Sequence, residues 1–260
     1  MGAVKIVTWN VNSLRARLPR FLPWITSRDP DVVLLQETKV VDDDFPAGEI
    51  EALGYRIERF GQKTYNGVAI VSKLPATDVV KGLPDDGPDA DRRVIAATVG
   101  GMRVASVYVP NGSEVGSDKY AYKLQWLERF KAFARSELDR GLPTVVAGDW
   151  NIAPDDRDVY DPAALAGTIL CSEPERAAWR AILDLGFEDG LRKFNQEAGV
   201  YTWWDYRAVM FRRGLGLRID HFLLNPAAAA RVESVEVDRE ERKGEKPSDH
   251  APVAARFRVP

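Results

Sequence analysis

Residue types that bind metals or move protons occur in six short polar segments, most of which directly follow apolar runs. Because a chain that leaves a buried sheet can present such side chains into a cleft, we expect the segments to meet there. Each segment alone is equally well explained as a turn at a strand end, since Asn, Asp, Gly and Pro favour turns. The segments are Trp9-Asn-Val-Asn12, Gln36-Glu-Thr-Lys39, Tyr108-Val-Pro-Asn111, Gly148-Asp-Trp-Asn151, Arg218-Ile-Asp-His221 and Ser248-Asp-His250.

The donor atoms in these segments favour a hard divalent cation. Carboxylate and amide oxygens suit Mg²⁺, with Mn²⁺ as the alternative, and such a site is typical of phosphate chemistry. One cysteine, Cys171, and two histidines, His221 and His250, cannot build the usual zinc spacings. The chain also lacks a G-x-S-x-G elbow, a nucleoside triphosphate loop and a dinucleotide fingerprint. Hydrolysis of a phosphodiester is the chemistry that remains.

The same segments resemble the exonuclease III family of apurinic/apyrimidinic endonucleases, within the DNase I-like endonuclease/exonuclease/phosphatase superfamily. The match covers nearly the whole chain, in order. It implies a four-layer α/β/β/α sandwich, in which two mixed β-sheets pack together with helices outside. The matching stretches are Thr8–Arg17, Leu35-Gln-Glu-Thr-Lys39, Gly148–Pro154, Tyr201-Thr-Trp-Trp-Asp-Tyr206, Leu217-Arg-Ile-Asp220 and Pro247–Pro252.

The resemblance implies a metal site. Glu37 resembles the principal metal ligand of the family, Asn10 lies beside it, and Asp249 is matched to a position near the water shell of the metal. The metal would polarise the scissile phosphate and stabilise the leaving oxygen. The cofactor implied is therefore Mg²⁺, or Mn²⁺ in its place.

The resemblance also implies the catalytic groups. Asp149 is matched to the residue that orients or deprotonates the attacking water, and Asn151 to an amide that supports it. His250, oriented by Asp220, and the phenol of Tyr108 are matched to groups that contact the phosphate. Which of Asp149, Tyr108 and His250 moves the proton stays open at this point.

Other matched or basic positions predict contacts with DNA. A pocket for a base-free sugar would have walls at Trp203, Leu217 and Ile219, and Asn12, Lys39 and Asn111 are expected to bind substrate. Basic residues near the rim are expected to hold the DNA backbone, with the cluster from Arg207 to Arg218 as the best candidate. These basic residues are Arg15, Arg17, Lys39, Lys119, Lys123, Arg207, Arg212, Arg213, Arg218, Lys243 and Lys246.

Three residues near these segments have structural alternatives. Trp203 and Trp204 are adjacent, so in a strand their side chains would face opposite ways and either could belong to the core. His221 follows Asp220 directly and should point to the other face of a strand, so we interpret it as structural. About half of the basic residues are expected to be ordinary solvated surface.

Short apolar runs rich in β-branched residues predict the strands that carry the polar segments. Most runs are apolar on both faces, as expected where layers cover both sides of a sheet. The last run alternates, with Val253, Ala255, Phe257 and Val259 on one face, so that strand should show its other face to water. The remaining runs are Val4–Thr8, Asp31–Leu35, Gly67–Val71, Val94–Val99, Val104–Val109 and Thr144–Ala147.

Helices are predicted between the strands. The clearest has apolar residues at steps of three and four from Trp126 to Leu138, and another begins with a capping box at Ser172-Glu-Pro-Glu175. A first helix is predicted near Phe21–Ile25, although Pro19 and Pro23 are unfavourable to it. Strands and helices interleave throughout without a flexible linker, so we predict one α/β domain over residues 1–260.

Composition restricts where and with what the protein acts. The 260 residues carry a formal net charge of −3, so binding to a polyanion requires a local basic patch. We find no signal peptide and no apolar run of about 18 residues that could span a bilayer. A single cysteine fits a reducing compartment. We therefore expect a cytoplasmic monomer that does not associate with membranes.

The predicted function is a Mg²⁺-dependent DNA repair phosphodiesterase that cuts duplex DNA 5′ to abasic sites. The resemblance also implies 3′-phosphatase, 3′-phosphodiesterase and 3′→5′ exonuclease activity on blocked or recessed 3′ ends. One alternative is a related phosphoesterase that acts on inositol phosphates or sphingomyelin. A second is a catalytically silent module that binds nucleic acid.

Overall fold

The computed structural model describes residues 3–258, which form alternating strands and helices. The strands are β1 (Ala3–Asn10), β2 (Val32–Gln36), β3 (Arg56–Phe60), β4 (Val68–Ser72), β5 (Ala76–Lys81), β6 (Val94–Val99), β7 (Met102–Tyr108), β8 (Thr144–Asp149), β9 (Glu188–Asp189), β10 (Asp220–Leu224), β11 (Val232–Val237) and β12 (Val253–Arg258). The helices are α1 (Leu14–Arg28), α2 (Ala47–Glu51), α3 (Asp118–Leu138), α4 (Pro162–Leu165), α5 (Glu173–Leu183), α6 (Met210–Arg213) and α7 (Pro226–Ala229).

The strands form two mixed sheets of six. Their orders are β11-β12-β1-β2-β4-β3 and β5-β6-β7-β8-β10-β9. Each sheet has one parallel pair, β1 with β2 and β7 with β8, and a long helix connects the two strands of each pair. A helical crossover is needed because parallel strands cannot be joined by a tight turn.

The described residues form four hydrophobic clusters, three of which arrange these elements in four layers. The largest core joins the inner faces of both sheets, as in the contact between Ile70 and its neighbours on one sheet and Val104 and Phe222 on the other. A second core packs α1 on the first sheet, and a third packs α3 and α5 on the second. The predicted α/β/β/α sandwich of two mixed sheets is therefore confirmed.

The first helix is longer than the sequence indicated. It runs over Leu14–Arg28 rather than Phe21–Ile25, and both Pro19 and Pro23 lie inside it. Each proline removes one internal hydrogen bond. Burial of Phe21, Trp24 and Ile25 against the sheet outweighs these losses, which is why prolines alone were a poor guide to its ends.

The other predicted helices are confirmed. The helix α3 buries Trp126, Phe130 and Phe133, and α5 begins with the reciprocal capping box of Ser172 and Glu175. The β12 strand alternates between buried and exposed side chains as predicted, although Val259 lies outside the described residues. Across residues 3–258, no helix is both long and apolar enough to cross a membrane.

Five strands were not identified by the apolar runs, namely the inner strand β10 and four strands at the sheet edges. The four edge strands are β3 and β11 in the first sheet and β5 and β9 in the second. Edge strands carry polar side chains that discourage pairing with other chains, as in the sequence Arg-Ile-Glu-Arg-Phe of β3. Inner strands such as β2 and β4 are buried at every residue, so their sequences are apolar up to the last residue, which is Gln36 or Ser72.

Candidate active site

Five polar side chains converge where strands of both sheets end or begin. Asn10 ends β1, Glu37 directly follows β2, and Asp149 ends β8. Asp220 begins β10 and is paired with Asp149 in the antiparallel register, while His250 lies just before β12, which is antiparallel to β1. The carboxyl ends of parallel strands and the amino ends of their antiparallel neighbours thus share one edge.

Gly148 allows Asp149 to reach this edge. A Cβ atom on Gly148 would lie 1.8 Å from the carbonyl oxygen of Val107 in β7. Only a residue without a side chain lets β7 and β8 approach so closely just before the carboxylate.

Glu37, Asp149 and His250 form the centre of the site. One potential ligand atom from each lies within 4.8 Å of the other two. The Nδ2 atom of Asn10 donates to Glu37 Oε1 at 2.8 Å and to Asp149 Oδ2 at 2.9 Å, so it holds the two carboxylates side by side. The two carboxylates fit a divalent cation that prefers oxygen ligands, and the imidazole of His250 lies beside them.

The His250 ring is held between two carboxylates. Its Nδ1 atom lies 2.9 Å from Asp220 Oδ2, and its Nε2 atom lies 3.7 Å from Asp149 Oδ2. Burial alone would lower the pKa of His250, but Asp220 and Asp149 outweigh burial and raise it to about 10. At neutral pH the ring is therefore a cation with a proton on Nε2 that faces the centre of the site.

Asp149 is a buried carboxylate with a near-neutral pKa. The pKa of Asp149 is raised to about 7. Burial is the largest cause, the charges of Asp220 and Glu37 act in the same direction, and the charge of His250 opposes them. The backbone N–H of Asn151 donates to Asp149 Oδ1 at 2.9 Å, which fixes the direction of the carboxylate. A carboxylate with this pKa can accept a proton from water near pH 7.

Several residues of the site have left-handed backbone conformations that are uncommon outside glycine. The φ angles are 43° at Asn12, 50° at Glu37, 52° at Lys39 and 49° at Asn151. Each such residue costs on the order of 1–3 kcal/mol and persists only when its surroundings fix it. The fold therefore holds this edge in one arrangement before any substrate arrives.

Comparison with known proteins identifies the family. The Endonuclease/Exonuclease/phosphatase family matches residues 7–250 of the chain. The chain belongs to this family. It is 36% identical to exodeoxyribonuclease III of Haemophilus influenzae, over 98% of this chain and 100% of that protein. It is also 30% identical to the DNA repair nuclease APEX1 of Danio rerio, over 96% of this chain and 81% of that protein.

Solved structures of the family match the fold closely. The 3′ phosphatase NExo from Neisseria, solved with a product DNA hairpin, is 49% identical with a TM-score of 0.96, over 98% of this chain and 100% of that chain. An AP endonuclease from Archaeoglobus fulgidus is 42% identical with a TM-score of 0.94, over the same shares. The phosphatase and endonuclease activities in these names are those of the two similar proteins.

In this member of the endonuclease/exonuclease/phosphatase family, Asp249 lies beside the central group rather than in it. Its carboxylate accepts from Asn12 Nδ2 at 2.9 Å and from Trp203 Nε1 at 3.0 Å. Burial would raise the pKa of Asp249, but His250, Trp203 and Asn12 keep it below the usual value. Lys39 Nζ completes this side by contacting Glu37 at 2.8 Å and Asn12 Oδ1 at 2.6 Å.

Tyr108 and Asn111 form the opposite side of the site. Tyr108 ends β7, and burial together with Glu37 and Asp149 raises the pKa of its phenol well above the usual value, so it stays a donor. Asn111 donates to the side-chain oxygen of Asn151 at 3.0 Å. Asn151 supports Asp149 through its backbone N–H, whereas its side-chain amide donates to the carbonyl of Val109.

The structure corrects two of the basic residues that we expected at the DNA rim. Arg218 is fully buried and pairs with Asp158 at 2.6 Å and Asp189 at 2.8 Å. Lys123 is also fully buried and pairs with Glu175. The three carboxylates that pair with Arg218 and Lys123 are distant from them in the sequence. Charge and position along the chain therefore did not reveal that these two side chains are buried.

The two adjacent tryptophans divide between site and core. Trp203 is half-buried beside Asp249, with its ring 6.4 Å from that of His250, whereas Trp204 is buried against Phe211. Leu217 and Ile219 are only 4% and 2% exposed. They support Trp203 from beneath, and their contact with a sugar stays a prediction.

His221 is structural, as its position after Asp220 predicted. Its ring lies tilted against that of Trp179, with 4.5 Å between the ring centres, and its Nε2 atom lies 2.9 Å from the carbonyl oxygen of Ile152. Burial, aided by the charge of Arg218, lowers the pKa of His221 to about 4. The ring is therefore neutral and lies in the third core, away from the candidate metal group.

A basic loop over residues 205–214 lies next to Trp203. Arg207, Arg212 and Arg213 are exposed on it, and Arg207 pairs with Asp205. Val209 is 58% exposed and has a φ of 48°, which is strained for a β-branched residue. The loop borders a cavity of about 420 Å³ that Tyr206 and Arg212 help to line.

Sequence reasoning missed Tyr65, Arg93 and Tyr122, which form a second group with Lys119 beside Tyr108. Tyr65, Arg93, Lys119 and Tyr122 help to line a cavity of about 460 Å³ that reaches Tyr108 and Asn111, although Lys119 was expected at the rim. Tyr65 is 68% exposed. An aromatic residue within the polar turn Lys63-Thr-Tyr-Asn-Gly67 was the available signal.

Proposed function

We propose that this DNA repair nuclease of the exodeoxyribonuclease III type depends on Mg²⁺ and acts at abasic sites and blocked 3′ ends of duplex DNA. The observation that carries the proposal is the group formed by Glu37, Asp149 and His250, with Asn10 and Asp220 fixing its members. A silent binding module would not need this group. The names of the relatives favour DNA over inositol phosphates or sphingomyelin.

The residues at the centre fit a divalent ion. Glu37 would hold it, with Asp149 and Asn10 adjacent, and Asp249 would orient its water ligands. When bound, the ion would supply charge stabilisation to the phosphate and to the leaving oxygen. Mn²⁺ could replace Mg²⁺ because both accept oxygen ligands in similar geometry.

The side chains of the site divide the remaining chemistry between them. Asp149 accepts a proton from the attacking water, since its pKa is near neutral and its direction is fixed. His250 stays protonated through Asp220 and donates from Nε2 to a phosphate oxygen. Tyr108, whose phenol keeps its proton, donates to the same phosphate.

The substrate preference is proposed from the two sides of the site. Asn12, Lys39 and Asn111 would contact the phosphate backbone, and Trp203 over Leu217 and Ile219 would receive a sugar without its base. Arg207, Arg212 and Arg213 would grip the backbone on the Trp203 side. The similar proteins named as a 3′ phosphatase and an AP endonuclease support both substrate types.

Three further features stay predictions. These are a single domain over residues 1–260, a monomeric state and a location in the cytoplasm. The monomer can be tested by light scattering of the purified protein, and the location by fractionation of the source cells.

A direct experiment uses three end-labelled duplexes that contain an abasic site, a 3′ phosphate or a recessed 3′ hydroxyl. Each is incubated with Mg²⁺, with a chelator, and with Asp149→Asn as a folded control. We expect cleavage 5′ to the abasic site that leaves a 3′ hydroxyl, release of the 3′ phosphate, and loss of both without metal. Processing in the presence of chelator, or none with Mg²⁺, would refute the proposal.

A further inference from the structure

The buried amine of Lys123 joins the two loops that leave β7 and β8 at the active site. Its Nζ atom donates to the carbonyl oxygen of Asn111 at 3.1 Å and to that of Asn151 at 2.6 Å. The third donor contact is to Glu175 Oε1. An ammonium group has three N–H donors, so all of them are used within the protein.

We propose that Lys123 is a positioning residue for hydrolysis: it fixes Asn151 and, through the backbone N–H of Asn151, the direction of the Asp149 carboxylate. The inference rests on the proposed function, in which Asp149 accepts the proton from water. Lys123 itself, fully buried on the first turns of α3, cannot reach a substrate.

The ammonium group is itself held in place. Glu175 accepts from the backbone N–H groups of Leu170 and Ser172 at 3.1 Å each and from the Ser172 hydroxyl at 2.6 Å. Burying an ion pair costs several kcal/mol per ion, and a neutral pair of similar volume is often as stable. The folding free energy therefore does not require an ion pair at this position. The carbonyl oxygens of Asn111 and Asn151, however, point at one position and require a strong hydrogen-bond donor there.

Asn151 needs such a restraint because its backbone has a φ of 49°. Its side chain donates to Val109 O and accepts from Asn111 Nδ2, both at 3.0 Å, and its carbonyl accepts from Lys123. Without the hydrogen bond from Lys123, the residue can relax toward ordinary backbone angles. That relaxation would move the N–H group that holds Asp149 Oδ1.

The chain offers a matched control on the same strand and helix. Arg103, at the start of β7, forms a buried pair with Glu137 near the end of α3. This pair is as buried as that of Lys123 and Glu175, but it lies at the opposite end of β7 from Tyr108. Arg103→Met therefore tests the loss of a buried cation without disturbing the loops of the site.

The experiment compares Lys123→Met, Lys123→Met with Glu175→Gln, and Arg103→Met in the full chain with Mg²⁺. The double variant avoids an unpaired buried carboxylate, so it keeps the test valid where the single variant folds poorly. We expect kcat to fall on the order of 10- to 100-fold in both Lys123 variants, with KM changed less than about threefold. Arg103→Met should keep kcat within about twofold while its thermal midpoint falls.

A crystal structure of the double variant gives a second readout that does not depend on activity. We expect the Asn151 N to Asp149 Oδ1 distance to exceed hydrogen-bonding range. A retained hydrogen bond with wild-type kcat, or an equal loss of kcat in Arg103→Met, would overturn the inference. If the wild-type protein cleaves no DNA, the proposed function fails, and the structure alone still decides whether Lys123 positions Asn151.

Discussion

His250 and His221 show how the surroundings of one residue type set its chemistry. Both rings are buried, yet the pKa of His250 is raised to about 10 and that of His221 is lowered to about 4. Three carboxylates surround His250, whereas His221 contacts a carbonyl oxygen and an indole ring. At neutral pH, one histidine is therefore a cation at the active site, and the other is a neutral part of the core.

The low pKa of His221 predicts a stability that depends on pH. The unfolded chain binds a proton at His221 below about pH 6.5, but the folded protein does so only near pH 4. Stability is therefore lost as the pH falls through this window, by about 2 kcal/mol between pH 6.5 and 5. Urea unfolding at both pH values should show a smaller loss for His221→Gln than for the wild-type protein. Equal losses would contradict the assignment.

Trp203 predicts a difference between two activities of the same site. Its ring lies over Leu217 and beside Asp249, so it can form a wall for a sugar that is turned out of the helix. Trp203→Ala should reduce cutting at abasic sites more than release of a 3′ phosphate, which needs no such rotation. Both rates are measured on one sample whose folding is checked by circular dichroism. Equal reductions would place the selectivity elsewhere.

At the scale of elements, the sequence predicted the inner strands except β10, together with the helices that have strong periodicity. It did so because inner strands such as β2 are buried on both faces and α3 has a continuous apolar stripe. The edge strands and the full length of α1 could not be found in this way. Their positions depend on packing against elements that are distant along the chain.

The active site, like the elements, could be predicted from the sequence only in part. The motif resemblance named the central residues, but the contacts between them join segments such as Asn10 and Asp149, which are 139 positions apart. The DNA contacts predicted for Arg218 and Lys123 were wrong because the carboxylates that pair with them come from elements distant along the chain. Charge in a sequence indicates neither burial nor pairing.

Arg218 is expected to stabilise the fold rather than to bind DNA. Arg218 lies just before β10 and forms buried ion pairs with Asp158 and with Asp189 of β9. Arg218→Met would leave these carboxylates without that partner and should lower the free energy of unfolding by about 3–5 kcal/mol. Urea unfolding measures the loss, and DNA affinity of the folded fraction should change little. A stable variant with weak DNA binding would return Arg218 to the interface.

At the scale of the whole molecule, a chain with a net charge of −3 must hold DNA through a local patch. The 205–214 loop presents Arg207, Arg212 and Arg213 beside Trp203. Changing all three to Gln should reduce the slope of log affinity against log salt, by about 0.9 for each phosphate that the protein no longer neutralises. The slope is measured by fluorescence anisotropy between low and moderate salt.

A control variant removes the same charge from the outer helices. Lys131 and Arg135 lie on α3, and Arg180 lies on α5. Changing these three to Gln should leave the slope unchanged. Equal slopes for both triple variants and the wild-type protein would place the DNA on another face.

The central claim is that Glu37 holds the metal that the hydrolysis requires. The most direct measurement is the rate of cleavage of an abasic duplex as a function of Mg²⁺ concentration, for the wild-type protein and Glu37→Gln. We expect Glu37→Gln to require far more Mg²⁺ and to stay slow, while its affinity for the duplex in chelator matches that of the wild-type protein. Full activity of Glu37→Gln at low Mg²⁺ would contradict the account.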